Sequence, residues 1–307
     1  MILYVQGDLF QSPAQVLVNT VNTVGVMGKG VALQFKQLFP EMFEQYRILC
    51  ERKSFDIGNL WLYRGPNKWV LNFPTKRHWK QPSKIEYIAA GLSKFVATYD
   101  EMGIHSIAFP PLGCGNGQLD FKSEVQPLMH QFLHRLPIDV FIYPEKNDPF
   151  VPEHLDPLAM RNWLRSEPLS LPFTEVWGDV RNLLSRQSIF QTIAKESSFK
   201  ASISDNPPGI AIESGANTNF NIPYDSVMAF WQQLRTYGFS MRHIAPGIDR
   251  KLSYLVAIFS ELEYIKPVYV ADQFDGFGKY PVTGLQVLPS AFVRSQPSAQ
   301  LSLFTVE

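Results

Sequence analysis

Three segments bring together residue types able to do chemistry. The first, Asn19-Thr20-Val21-Asn22-Thr23-Val24-Gly25-Val26-Met27-Gly28-Lys29-Gly30, runs from polar amides through a loop with three glycines. Glycines let backbone N–H groups approach a ligand closely. A helix starting beyond Gly30 adds the partial positive charge of its N-terminus, so the unit suits a phosphate. It is not a P-loop, because Gly-Lys is followed by Gly30 rather than Ser or Thr; the same residues also describe a tight strand-to-helix turn. The second, Pro110-Pro111-Leu112-Gly113-Cys114-Gly115-Asn116-Gly117-Gln118, repeats the arrangement without a GxGxxG pattern, which removes the main support for a dinucleotide fold. Two such loops in one sheet domain suggest a diphosphate held between them. The third, Asn72–Lys80, places Lys76, Arg77 and Lys80 around His78 and Trp79. It is either a solvated basic loop or a catalytic lysine next to a patch that contacts phosphates and bases.

These segments need strand and helix ends to hold them. Ile2–Gln6 and Val16–Asn19 read as short strands. Val31–Leu38 reads as a helix that Pro40 interrupts and Met42–Arg52 resumes. Gly58–Arg64 and Trp69–Phe73 form a hairpin around Gly65-Pro66-Asn67. Over 84–102, Ile85, Ile88, Ala89, Leu92, Phe95, Val96 and Tyr99 follow helical spacing, with Ser83 and Glu86 as a capping box. Ile104–Phe109 and Asp139–Tyr143 are buried strands separated by a helix near 121–135. Strands alternating with helices imply a sheet between helical layers.

The polar, proline-containing stretch Tyr143–Pro149 marks a domain boundary, giving domains at 1–148 and 151–293 and a flexible tail at 294–307. In the second domain, 151–198 reads as helical pieces and Ser202–Asn221 as a loop. A helix near 225–237 is capped by Asp225 and ended by Gly238. A turn over Ser240–Ala245, a helix over Asp249–Leu262 and β segments Ile265–Val270 and Pro281–Leu288 complete it. This α+β order is that of a winged helix-turn-helix.

The 307 residues are 45% hydrophobic, which suffices for real cores and excludes a disordered chain. Twenty-eight basic residues balance 28 acidic ones, so contact with nucleic acid has to come from a local patch. Cys50 and Cys114 make neither a disulfide framework nor a metal-site spacing. No apolar run reaches a membrane span, and the N-terminus lacks a signal-peptide pattern. A reduced, cytoplasmic setting follows as the expectation.

Gly7-Asp8-Leu9, NTVNTVGVMGKGVALQF, NFPTKRHWK and PPLGCGNG, in this order, resemble the macrodomain family, and within it the DarG-type antitoxins that remove ADP-ribose from thymidine in DNA. The resemblance covers about 145 residues. It implies a three-layer α/β/α fold with a mixed sheet that binds ADP-ribose, with no cofactor and no metal. It implies that Asp8 accepts from the adenine amino group, with the backbone near Leu9 assisting. The diphosphate then lies between Gly25, Val26, Met27, Gly28 and Gly30 and, opposite, Leu112, Gly113, Cys114, Gly115, Asn116 and Gly117. Asn19 and Thr20 complete the binding set, Asn22 orients the distal ribose, and Tyr143 packs on the adenine or ribose. Lys76 matches the family's catalytic lysine, acting as a base, a nucleophile or a charge that stabilises the departing base; Lys80 is the fallback. Related glycohydrolases pair that lysine with an aspartate two residues after Gly-Cys-Gly; here Gly117 takes that place and Asp120 is the nearest acid. Arg77, His78, Trp79 and Lys80 are candidate contacts to DNA.

The implied partners are ADP-ribosylated DNA and a DarT-like toxin. The tail residues Gln300, Leu301, Leu303 and Phe304 resemble a peptide that binds the replication sliding clamp. The alternatives are a hydrolase of protein-linked or free ADP-ribose derivatives, a non-catalytic ADP-ribose reader, and an antitoxin that only sequesters its toxin.

Overall fold

Apolar residues alternate along Val16–Val21: Val16 and Val18 face one helical layer, Leu17 and Val21 the other. That period of two, with both sets buried, is the signature of a strand covered on both faces. The computed structural model describes residues 1–144, 151–215, 218–240, 251–270 and 282–288. The chain divides into two compact units, Met1–Arg161 and Asn162–Glu307, so 151–161 goes with the first.

The first unit is built on six strands: β1 (Ile2–Tyr4), β2 (Val16–Asn22), β3 (Trp61–Arg64), β4 (Trp69–Lys76), β5 (Ser106–Phe109) and β6 (Asp139–Ile142). Their order is β1-β6-β5-β2-β4-β3, parallel throughout except for β3, which pairs antiparallel with β4. Helices α1 (Gly30–Leu38) and α2 (Pro40–Glu51) cover one face through Phe35, Met42, Phe43 and Tyr46. Helices α3 (Ile85–Thr98) and α4 (Gln126–Leu133) cover the other through Ile88, Leu92, Phe95, Met129 and Leu133. This is the expected three-layer α/β/α arrangement.

Several local expectations change. Pro40 opens α2 at its first position, where a missing N–H costs nothing, rather than interrupting one helix. The capping box does not form: Lys84 takes the N-cap position of α3 with no side-chain capping hydrogen bond, and Ser83 instead packs against the 110–118 loop. The helix near 121–135 begins with one π-helical turn, Phe121–Val125, capped by Asp120 accepting from Ser123 N–H.

The division falls within α5 (Pro157–Arg165); the second unit then carries α6 (Phe173–Arg186) and a sheet of β7 (Ile189–Gln191), β8 (Ser198–Asp205), β9 (Pro208–Ser214) and β10 (Thr218–Pro223), ordered β10-β9-β8-β7. The loop expected over Ser202–Asn221 is therefore mostly strand. Its Ser, Asn and Gly residues read as loop, but Ala201, Ile210, Ile212 and Ile222 supply a buried face that pairing completes. Then come α7 (Tyr224–Tyr237), β11 (Phe239–Ser240), α8 (Leu252–Phe259), β12 (Ile265–Val270) and β13 (Val282–Val287), with β13 between β11 and β12. Asp225 lies in the first turn of α7 rather than at its cap, and Gly238 ends it in the left-handed region at φ 67°. Helix α8, followed by the β12–β13 pair, buries six of its eight residues and shows only Ser253 and Tyr254 at its surface. It offers no cation to a DNA phosphate. The turn at Ser240–Ala245 lies largely, and the tail 294–307 wholly, outside the described residues.

Candidate active site

Parallel sheets bind ligands beyond the carboxyl ends of their strands, because that is where their loops and helix N-termini converge. Here β2 and β4 run side by side, Asn19 opposite Asn72 and Thr20 opposite Phe73. An irregularity after Val21 skips one residue on β4, so that Asn22 falls opposite Lys76. Register thus places the two candidate catalytic side chains at adjacent strand ends. Behind them the Asn19 amide donates to Asn72 Oδ1 at 3.0 Å, both residues wholly buried.

Beyond these strand ends lies a cleft. Its lining includes the predicted Asp8, Leu9, Thr20, Asn22, Val26, Gly30, Lys76, Gly113, Cys114, Gly115, Asn116, Gly117 and Tyr143. Asn19, Gly25, Met27, Gly28 and Leu112 do not line it. Asp8 accepts from the Phe10 N–H at 3.0 Å and so caps a short helical turn. Tyr143 is buried and reaches the cleft from the end of β6. The first turn of α1, Gly30 to Leu33, also faces the cleft and brings the helix dipole to one wall.

The Asn22 side chain holds its own loop. Its Oδ1 accepts from the Val24 and Val26 N–H groups at 3.1 and 3.2 Å, and its Nδ2 donates to Val26 O at 2.7 Å. From α2, the Tyr46 hydroxyl donates to Asn22 O at 2.7 Å. Burial raises the Tyr46 pKa well above its ordinary value, which keeps that hydroxyl a donor.

Lys76 is 6% exposed. Its Nζ donates to Asn116 O at 2.6 Å and lies 3.7 Å from the Glu153 carboxylate, which is as deeply buried. Burial lowers the Lys76 pKa, and the Glu153 charge opposes that shift. Glu153 was not among the sequence candidates. It follows the expected boundary, and no local pattern there marks it; only folding brings it to the cleft.

The other cations separate from this centre. Arg77 is exposed and paired with Asp56 at 2.9 and 3.1 Å. Lys80 is exposed, with its ammonium 5.0 Å from the Trp79 ring centre, and does not line the cleft, so it is no substitute for Lys76. Trp79 is completely buried and offers no face on which a base could stack, a correction to its expected DNA contact. His78 takes the Lys80 N–H on Nδ1 at 3.1 Å. Asp120 is exposed, spent on its cap and absent from the cleft lining, so it is not the acid beside the lysine. Cys50 and Cys114 are both buried and form no disulfide; desolvation pushes the Cys50 thiol up to about 12. Among the described residues, no group of three metal-ligating side chains converges, and no helix is long and apolar enough to cross a membrane.

Residues 18–127 match the Macro domain family. A DNA ADP-ribosyl glycohydrolase of Thermus aquaticus is 46% identical over 154 residues, covering 48% of this chain and 42% of that protein. Among solved structures, the macrodomain of Thermus aquaticus DarG is 46% identical with a TM-score of 0.45, covering 47% of this chain and 99% of that one. Thermosipho africanus DarTG in complex with ADP-ribose is 40% identical with a TM-score of 0.46, covering 49% of this chain and 43% of that one. The chain thus spans less than half the length of the curated relative it matches.

Proposed function

The N-terminal region of this chain belongs to the macrodomain family, and from that premise we propose that it is a DNA ADP-ribosyl glycohydrolase that removes ADP-ribose from thymidine in DNA. The observation that carries this reading is the position of Lys76, buried at the end of β4 opposite Asn22, on the floor of a cleft walled by both glycine loops. A diphosphate between the first turn of α1 and the Gly113–Gly117 loop leaves the adenosine toward Asp8 and Tyr143 and the distal ribose over Lys76. Asn22 shapes the ribose wall through the loop it holds. With the Lys76 ammonium against the bond from ribose C1 to the base nitrogen, negative charge growing on the departing base is stabilised by a buried, fixed positive charge. Arg77 and Lys80, exposed within four residues of Lys76 and outside the cleft lining, are the cations offered to the phosphates of the modified strand.

The test offers ADP-ribosylated DNA and ADP-ribosylated protein to the chain and to Lys76→Ala. Release of ADP-ribose from DNA, reduced about 10³-fold in the variant, supports the reading, on the scale of one electrostatic group lost from an active site. Release from protein alone redirects the substrate. Binding without release makes the domain a reader.

On the same premise the chain is the cytoplasmic antitoxin of a DarT-like DNA ADP-ribosyltransferase. Its second unit serves as a docking surface for that toxin rather than as a DNA reader, a choice favoured by the buried face of α8. Gln300-Leu301-Ser302-Leu303-Phe304 serves as a clamp-binding peptide that brings the enzyme to replicating DNA. A pull-down of toxin and of clamp with the full chain, repeated with Leu303→Ala/Phe304→Ala, separates the two: the double variant loses the clamp and keeps the toxin.

A further inference from the structure

We propose that Glu153 is the acidic partner of Lys76 in catalysis, the general base that takes a proton from the attacking water and returns it to the lysine. The inference deepens the glycohydrolase reading and rests on it.

Residues 151–154 are held across the cleft from both sides. Lys29, from the first glycine loop, donates to Val151 O at 3.2 Å, and His154 Nε2 meets Gln118 Oε1, beyond the second loop, at 2.9 Å. Between these two anchors Glu153 turns inward, lines the cleft, and stands 3.7 Å from Lys76 with both side chains 7% exposed. Burying two such charges is costly, and a surface pair would have served any purely adhesive purpose with less desolvation. Neither Gly117 nor Asp120 supplies an acid here; of the two carboxylates that line the cleft, Asp8 and Glu153, it is Glu153 that stands 3.7 Å from the Lys76 ammonium.

The step balances as follows. Water oxygen bonds to C1 of the distal ribose as the bond from C1 to the base nitrogen breaks, its electron pair staying on nitrogen. One water proton passes to the Glu153 carboxylate, and the Lys76 ammonium gives a proton to the base nitrogen. Glu153 then passes its proton to the Lys76 amine, which restores the ion pair. No other reactant is consumed.

The titratable groups that face Glu153 include Lys76 from β4 and Tyr46 from α2, and His154 is its neighbour in the chain. The experiment therefore compares the full chain with Glu153→Gln, Glu153→Asp and His154→Gln. Single-turnover release of ADP-ribose from a thymidine-modified oligonucleotide is followed from pH 4.5 to 9, and binding of free ADP-ribose is followed by calorimetry. Glu153→Gln lowers the rate about 10²- to 10³-fold, the range for loss of one acid–base group. It also erases the acidic limb of the profile and leaves ADP-ribose affinity within about threefold. Glu153→Asp recovers part of the rate, and His154→Gln keeps the acidic limb. A Glu153→Gln rate within about threefold of the parent, or an acidic limb lost only in His154→Gln, overturns the proposal. A second readout does not depend on the substrate. Titration of ¹³C-labelled lysine, with Lys76 assigned by Lys76→Arg, gives a Lys76 pKa about one unit or more lower in Glu153→Gln, as expected when an opposite charge is removed. If the parent chain releases nothing from DNA but this shift is present, the pairing stands and the substrate assignment fails. If the shift is absent, the pairing itself is wrong.

Discussion

Two glycines two residues apart on the same loop are there for different reasons. A Cβ at Gly117 would lie 2.2 Å from both Gly113 O and Ser83 Oγ, so the fold itself excludes a side chain there. A Cβ at Gly115 would meet no atom within 4 Å, and Gly115 is not in the left-handed region. Nothing in the protein requires glycine at 115, yet the position lines the cleft. Under the proposed function, the reason is the close approach of the ADP-ribose diphosphate. Gly115→Ala should leave stability within about 0.5 kcal/mol by denaturant titration, as for an unconstrained surface site. In calorimetry it should weaken ADP-ribose binding at least about tenfold, which corresponds to roughly 1.4 kcal/mol. Unchanged affinity would move the diphosphate off this loop.

The sheet and its helices set how accurately Lys76 is placed. Gly91 on α3 packs against the Phe73 ring on β4, and a Cβ there would come within 2.2 Å of it. Phe73 is completely buried and precedes Lys76 by three residues on the same strand. Gly91→Ala should therefore destabilise the first unit by about 1–3 kcal/mol, the usual cost of overpacking a core. Adding Phe73→Leu should recover part of that loss in the same denaturant experiment; no recovery would mean the strain lies elsewhere. At this scale the sequence was legible where periodicity was strong. The α3 heptad-like run, the β3–β4 hairpin and the two-faced β2 all follow from residue pattern. It misled where side chains had two local uses. Ser83 and Glu86 match a capping box, but Ser83 is taken up by packing under Gly113 and Gly117. Ser202–Asn221 has the composition of a loop, and its strands exist because three segments pair with one another.

Across the whole chain, the first unit extends to Arg161 and includes the segment that carries Glu153. A fragment of residues 1–161 should therefore release ADP-ribose from modified DNA at a rate within about threefold of the full chain. A fragment ending at 148 should bind ADP-ribose but lose about 10²- to 10³-fold in rate, as expected when one acid–base group is removed. Equal rates for the two fragments would place all the chemistry before residue 148 and make the later segment a spectator. The second unit has its own buried polar centre: Arg165 donates to Asp179 at 2.9 and 3.0 Å and to Glu175 at 3.1 Å, and the Tyr264 hydroxyl reaches Asp179 at 3.0 Å. Such a network ties Arg165 to α6 and to the approach to β12.

The residues alone determined the two glycine loops, the lysine near the end of a strand, and the layered sheet that presents them, because each is a local pattern of spacing and side-chain type. Tertiary structure decided which of these groups share a cleft. It set Asn22 opposite Lys76 through an irregular register, buried Trp79, spent Asp120 on a helix cap, and brought Glu153 from beyond the last strand to the lysine. Those outcomes depend on contacts between segments distant in the chain, and a distance in space between such segments leaves no mark on the order of residues.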